Sequence, residues 1–298
     1  MAEEMNIGQL DENLILKILS LVPIKSVVST SVLSKEWQSR WKSVPKLKFN
    51  SEDYQSEHQT YKSLLSYEPE VLDSFHLSFG SDKADAVDVV HWIKTAFALH
   101  LRTLVLEFLI YPYKVDEFIF TSSLCTCDTL ETLKLGSLIL VDMPAPFDET
   151  IYPPTGCIFY QLVYLQIYTH EPGWYDLLTW MLEHSPKLQV LKLVGKYSIN
   201  PDYHVLGWEW NEPKSVPECL LSHLETFVWR RHDWKGEKEE EVATYLLKNA
   251  RGLKNATFST GPIELGQLDK LKQRRRTPKK LDGVLKASNT CHLVFKFE

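Results

Sequence analysis

The chain has 298 residues, a formal net charge of −6 and 44% apolar residues. That is length for about two domains and enough apolar matter for a sizeable core. The mixed charge leaves no global footprint for nucleic acid or an anionic membrane, no apolar run nears the roughly 18 residues a membrane span needs, and the acidic start MAEEMNIGQL lacks the regions of a secretory signal.

Three short helices are expected at the start. Leu14, Ile15, Ile18 and Leu19 fall at helical spacing, Asp11 or Asn13 can cap that helix, and Pro23 ends it. A second helix fits Lys25 to Val32. Ser34 caps a third, in which Trp37 and Trp41 sit one turn apart, and Pro45 stops it. So few residues cannot bury that much Leu, Val, Ile and Trp among themselves. They need a partner surface, either the rest of the chain or another protein.

Beyond them one short pattern, L-x-x-L-x-L or a close variant, keeps returning. It begins at Leu72, Leu101, Leu130, Leu162, Leu188, Leu224 and Leu253, at spacings of 29, 29, 32, 26, 36 and 29 residues. This is the signature of irregular leucine-rich repeats. Each copy predicts a short strand whose first, fourth and sixth residues point inward, and stacking the copies in parallel buries a continuous core. Helices are predicted between strands at Ala86 to His100, Trp174 to Ser185 and Glu239 to Gly252. The class is therefore α/β. The residue between the last two apolar positions projects to the other, concave side: His76, Val105, Lys134, Gln166, Lys192, Val228 and Thr257, with Glu107, Tyr168 and Arg230 as neighbours. That polar, cationic and aromatic mixture suits protein recognition, against the plainer reading of ordinary solvated strand residues. The ending TCHLVFKF alternates and predicts a last strand.

Two segments resemble known families. Leu10, Leu14, Ile18, Leu19, Ser20, Pro23, Lys25, Thr30, Ser31, Leu33, Ser34, Lys35, Trp37 and Trp41, with the stretch SVLSKEWQSRWKSVPKLKF, resemble the F-box of plant F-box proteins. The region from Trp210, with Val216-Pro217, Cys219-Leu220, Leu224-Glu225 and KNARGLKNATF, resembles the FBD domain of plant F-box/leucine-rich-repeat proteins. The implied layout is an F-box over 4–50, leucine-rich repeats over 68–209, an FBD domain over 210–260 and a continuation over 261–298. The FBD region would cap the repeat solenoid, since an open ladder end exposes backbone. The family usually has more repeats, and the proline-rich stretch Met143 to Phe159 has little repeat character, so middle repeats are expected to be missing there.

The resemblance implies a substrate-recognition subunit of an SCF-type ubiquitin ligase. Leu10, Asp11, Leu14, Ile18, Leu19, Pro23, Leu33, Trp37 and Trp41 would meet a Skp-type adaptor, and through it a cullin-RING complex. Some of these must instead form the module's own core. The repeats would hold a target protein, and the rate gain would come from proximity. The chain departs from the family at Leu10-Asp11, where Leu-Pro is usual. Asp11 still suits a helix cap, so the expected consequence is on adaptor affinity. The alternative is a scaffold that joins no ligase.

No catalytic constellation is present. There is no G-x-S-x-G elbow, phosphate-binding glycine loop, H-E-x-x-H or dinucleotide fingerprint, and the ten histidines are scattered. The expectation is a non-enzyme with no cofactor and no metal. Five cysteines without C-x-x-C spacing read as reduced thiols, and the expected location is cytoplasmic or nuclear. The basic stretch Lys270 to Lys280 reads as a solvated surface or a nuclear localisation signal.

Overall fold

A computed structural model describes residues 10–50, 72–79, 93, 95–108, 118–119, 127–136, 139–140, 158–169, 174–195, 210–231, 237–261, 276 and 278–297. The chain divides into two compact units, 1–116 and 117–298. Both are mixtures of helix and parallel sheet.

The first unit opens with helix α1, Glu12–Leu19. The Asp11 carboxylate caps it by accepting from the Asn13 N–H at 2.9 Å. Helix α2 is Ile24–Ser29, with a single 3-10 turn at Thr30–Val32. Helix α3 is Lys35–Arg40, capped by Ser34, and a 3-10 turn at Trp41–Ser43 runs on to Pro45. Ile15, Leu19, Ile24, Val27, Trp37, Trp41 and Val44 are buried and form the core. Arg40 closes the helices on themselves. Its guanidinium binds the Glu12 carboxylate at 2.9 Å and lies 5.1 Å from the Trp37 ring centroid.

The helices run directly into strand β1, Lys46–Asn50, whose Leu47 and Phe49 are buried. It pairs in parallel with β2, Ser74–Phe79, which pairs in parallel with β3, Thr103–Phe108. β1 is a strand that the repeat pattern does not announce. Ahead of β3, Ile93 and Phe97 are buried on a helical stretch, as the spacing predicts, and Ala96 is buried beside them; most of the predicted span before Ile93 lies outside the described residues.

In the second unit β4 (Phe118–Ile119) and β6 (Ile139–Leu140) form a two-residue parallel pair. The main sheet comprises β5 (Thr132–Leu135), β7 (Tyr164–Tyr168), β8 (Val190–Val194), β9 (Thr226–Arg230), β10 (Asn255–Thr260) and β11 (His292–Phe297). Each pairs in parallel with the next. All seven L-x-x-L-x-L copies are thus strands, each starting two residues after its first leucine. Every first, fourth and sixth position is buried, from Leu72, Phe75 and Leu77 to Leu253, Ala256 and Phe258. The ladder also continues one residue before the strands. The Val163 N–H donates to Glu131, Gln189 to Val163, Glu225 to Gln189, Lys254 to Glu225 and His292 to Lys254, all at 2.8–3.0 Å.

Helices α4 (Trp174–His184), α5 (Glu218–Ser222) and α6 (Glu237–Asn249) separate strands in the second unit. The first and last of them lie in the predicted places. Aromatic rings fill the space behind the sheet. Trp174 meets Trp229 edge-on at 5.8 Å, Phe227 meets Phe258 at 5.5 Å, and Trp210 meets Tyr245 at 6.0 Å.

After β9 the chain turns sharply. Arg231 adopts φ 53°, in the left-handed region. This carries its carbonyl against Gly195, whose own N–H donates to the Arg230 carbonyl at 2.8 Å. A Cβ on Gly195 would collide with the Arg231 carbonyl oxygen, a backbone atom that cannot swing aside. Gly195→Ala is expected to lower the unfolding free energy by about 1–3 kcal/mol, seen as a lower urea midpoint.

Cys219 supplies a second check. Its buried thiol donates to the Leu182 carbonyl at 3.3 Å, tying α5 to α4. Burial pushes its pKa from 9.0 up to about 12. The unfolded thiol ionises first, so stability is full below pH 9 and declines as pH rises toward 12. The fall in urea midpoint above pH 9 should be shallower for Cys219→Ala than for the native chain.

Candidate functional site

Two surfaces qualify, one in each unit. The first lies on the N-terminal helices. Leu14, Ile18 and Leu21 follow one another at spacings of four and three along α1 and the turn after it, and all three are exposed. Val32 and Leu33, between α2 and α3, are 84% and 63% exposed. Covering a side chain of this size is worth about 1.5–3 kcal/mol. Five such side chains among the described residues of these helices are exposed, which makes this the candidate contact surface of the first unit.

The nine residues expected to meet an adaptor divide in two. Leu14, Ile18, Pro23 and Leu33 are exposed, as is the capping Asp11, and Leu10 is half-buried. Leu19, Trp37 and Trp41 are buried, the two tryptophans at 9% and 7% exposure, so in the isolated chain their work is internal packing. Leu21 and Val32 are exposed apolar residues that the expected set lacks. Leu21 continues the Leu14–Ile18 spacing and was findable. Val32 falls in a 3-10 turn, where the 3.6-residue period no longer tells which way a side chain points.

The second surface is the polar face of the main sheet. Side chains alternate across a strand, so residues between the buried ones share the opposite face. Pairing puts Lys134, Gln166, Lys192, Val228, Thr257 and Val294 in one row across six strands. In the first unit Lys48, His76 and Val105 form a corresponding row. His76 Nε2 lies 3.1 Å from the Glu107 carboxylate and 3.3 Å from the Ser78 hydroxyl. Val105 and Gln166 are nearly covered by their neighbours, whereas the remaining residues expected on this face keep more exposure. Tyr168 and Arg230 align through Val194. Lys48 joins the first unit's row and Tyr164 the second unit's face without having been expected there, the first because β1 lies outside the repeat spacing.

Among the described residues no group of three His, Cys, Asp or Glu could hold a metal ion. The thiols of Cys127 and Cys219 are buried, with burial raising the pKa of each; a thiol kept protonated is a poor nucleophile. No described helix is long and apolar enough to cross a membrane.

Comparison with known proteins bears on both units. Residues 7–49 match the F-box domain family and residues 212–258 match the FBD family. An F-box/FBD/LRR-repeat protein of Arabidopsis thaliana is 40% identical over a match that takes in 98% of this chain and 93% of the relative. A second protein of that description, also from Arabidopsis thaliana, is 39% identical, with 98% and 94% covered. An FBD-associated F-box protein of the same plant is 38% identical, with 99% and 98% covered. The first match runs over 430 positions and this chain has 298 residues, so at least 132 positions of that alignment have no counterpart here. The chain belongs to the plant F-box/FBD/LRR-repeat family and is a shortened member of it.

Proposed function

We propose that this chain is the substrate-recognition subunit of an SCF-type ubiquitin ligase. F-box domains in general serve as substrate adaptors in such complexes. The observation that carries the reading is the coincidence of the F-box match over 7–49 with exposed apolar residues on the same helices. On this reading Leu14, Ile18, Leu21, Val32 and Leu33 touch a Skp-type adaptor, and a cullin-RING complex is reached through it. Trp37 and Trp41 hold the helices that present them.

The parallel strands and the helices between them make up a leucine-rich-repeat solenoid, with domains at 4–50, 68–209, 210–260 and 261–298. The FBD region closes its end. The polar sheet face holds the target protein, and the chain itself does no chemistry. It brings the target's lysines to a ubiquitin-charged enzyme, so its contribution to rate is effective concentration. The missing alignment positions belong to middle repeats, and the join falls at Met143 to Phe159, which lies mostly outside the described residues.

One observation favours a second reading, a scaffold that joins no ligase. Asp11 stands where the family usually has proline, and its side chain is committed to capping α1.

Titration of the full chain against a plant Skp-type adaptor separates the two. Binding by the native chain, weakened at least tenfold in Leu33→Arg with unchanged circular dichroism, is the expected outcome. Trp37→Ala should also lose binding, but together with helical signal, because it empties the module's core at a cost of about 3–5 kcal/mol. Binding that appears only in Asp11→Pro, or in no variant, would leave the scaffold. Hydrogen exchange tests the position of the join. Strong protection throughout residues 144–158 would put the missing repeats elsewhere.

A further inference from the structure

The chain is acidic as a whole, with a net charge of −6. The polar face of its main sheet is not. The row from Lys134 to Val294 has no Asp or Glu, and neither has the flanking row Thr132, Tyr164, Val190, Thr226, Asn255, His292 or the row Tyr168, Val194, Arg230. What these rows do hold is three cations close together. Lys134 and Lys192 stand in the same row two strands apart, about 10 Å at the usual strand spacing. Arg230 lies on the next strand, two residues further along, about 8 Å from Lys192.

The three groups act on one another. Burial lowers the pKa of Lys192, and the charges of Arg230 and Lys134 lower it further. Burial raises the pKa of Tyr164, against the opposing pull of Arg230. The Lys134 ammonium rests 5.5 Å from the Tyr164 ring centroid. Four other lysines sit beside carboxylates: Lys46 by Asp73, Lys254 by Glu225, Lys280 by Glu240 and Lys286 by Asp282. Lys134, Lys192 and Arg230 take part in none of the ion pairs among the described residues. Three like charges gathered without an ion pair among the described residues repel, and an anion placed between them removes that repulsion and adds attraction of its own.

We propose that Lys134, Lys192 and Arg230 form a docking point for an acidic segment of the target protein, whose side-chain carboxylates lie across β5 to β9. This rests on the reading that the polar sheet face holds the target. The row spacing suits carboxylates on successive exposed positions of an extended chain, which recur at about 7 Å. Tyr168 and Gln166, on the strand between the two lysines, supply neutral contacts beside the charges.

The test uses the full chain and three labelled peptides: one rich in glutamate, its glutamine counterpart and one carrying phosphoserine. Binding is read by fluorescence anisotropy at about 0.15 M salt, where distant surface attraction is screened. The glutamate peptide should bind and the glutamine one should not. Lys192→Gln and Arg230→Gln should each weaken it about tenfold, and Lys254→Gln, off this face and paired with Glu225, by less than about twofold. Equal weakening in Lys254→Gln would reduce the effect to diffuse attraction and overturn the proposal. Binding confined to the phosphoserine peptide overturns it in favour of phosphate. Equal binding of the glutamine peptide, lost in Gln166→Arg, would overturn the anionic preference while keeping the sheet face as the target surface. No binding of any peptide by a chain that binds the adaptor would overturn it while keeping the ligase role.

Discussion

Parallel pairing in one constant register is the constraint on which everything else rests. Each strand sets its fourth-position residue beside the fourth-position residue of the strand before it: Leu133, Leu165, Leu191, Phe227, Ala256. A slip of one residue would send these apolar columns to water and bring Lys134, Gln166 and Lys192 into the interior. The cost of burying such groups unpartnered makes the register effectively unique. Because the interior columns are fixed, so are the columns on the other face. The polar surface is a by-product of the core's geometry.

That constraint is also why so much was legible in advance. Leu, Leu and Leu at offsets of zero, three and five commit each segment to a strand and an inward side. All seven segments behave so, and the last strand at His292–Phe297 follows from its own alternation. β1 was hidden for a physical reason. Leu47 and Phe49 make only a short alternation, attached to a helix end, and their pairing with β2 reaches across a stretch that carries no repeat. The second unit's small β4–β6 pair left no trace, since two residues cannot display a period.

The helical module was legible in outline and not in detail. Caps at Asp11 and Ser34 and the stop before Pro45 stand where side-chain chemistry puts them. The spacing of Leu14, Ile15, Ile18 and Leu19 reads as a single apolar face, and the structure splits it, burying Ile15 and Leu19 and exposing Leu14 and Ile18. Leu14 and Ile15 are neighbours in sequence, yet the first is exposed and the second is sealed. The choice is made by what the helix packs against, and Arg40, bound to Glu12 and stacked on Trp37, fixes that packing from α3. A tryptophan within a family motif is as readily a support for the contact surface as a part of it.

The relay of backbone hydrogen bonds that runs from Glu131 through Val163, Gln189, Glu225 and Lys254 to His292 has a consequence for inheritance. Every joint in it is made by main-chain atoms common to all residues, with each accepting carbonyl one residue ahead of its own strand. A segment of one full period can then be excised or duplicated, and the strands left facing each other find the same donors, acceptors and apolar columns as before. Length becomes a trait that genomes can change in whole steps while the interior stays closed. An excision of a few residues inside a strand has no such escape.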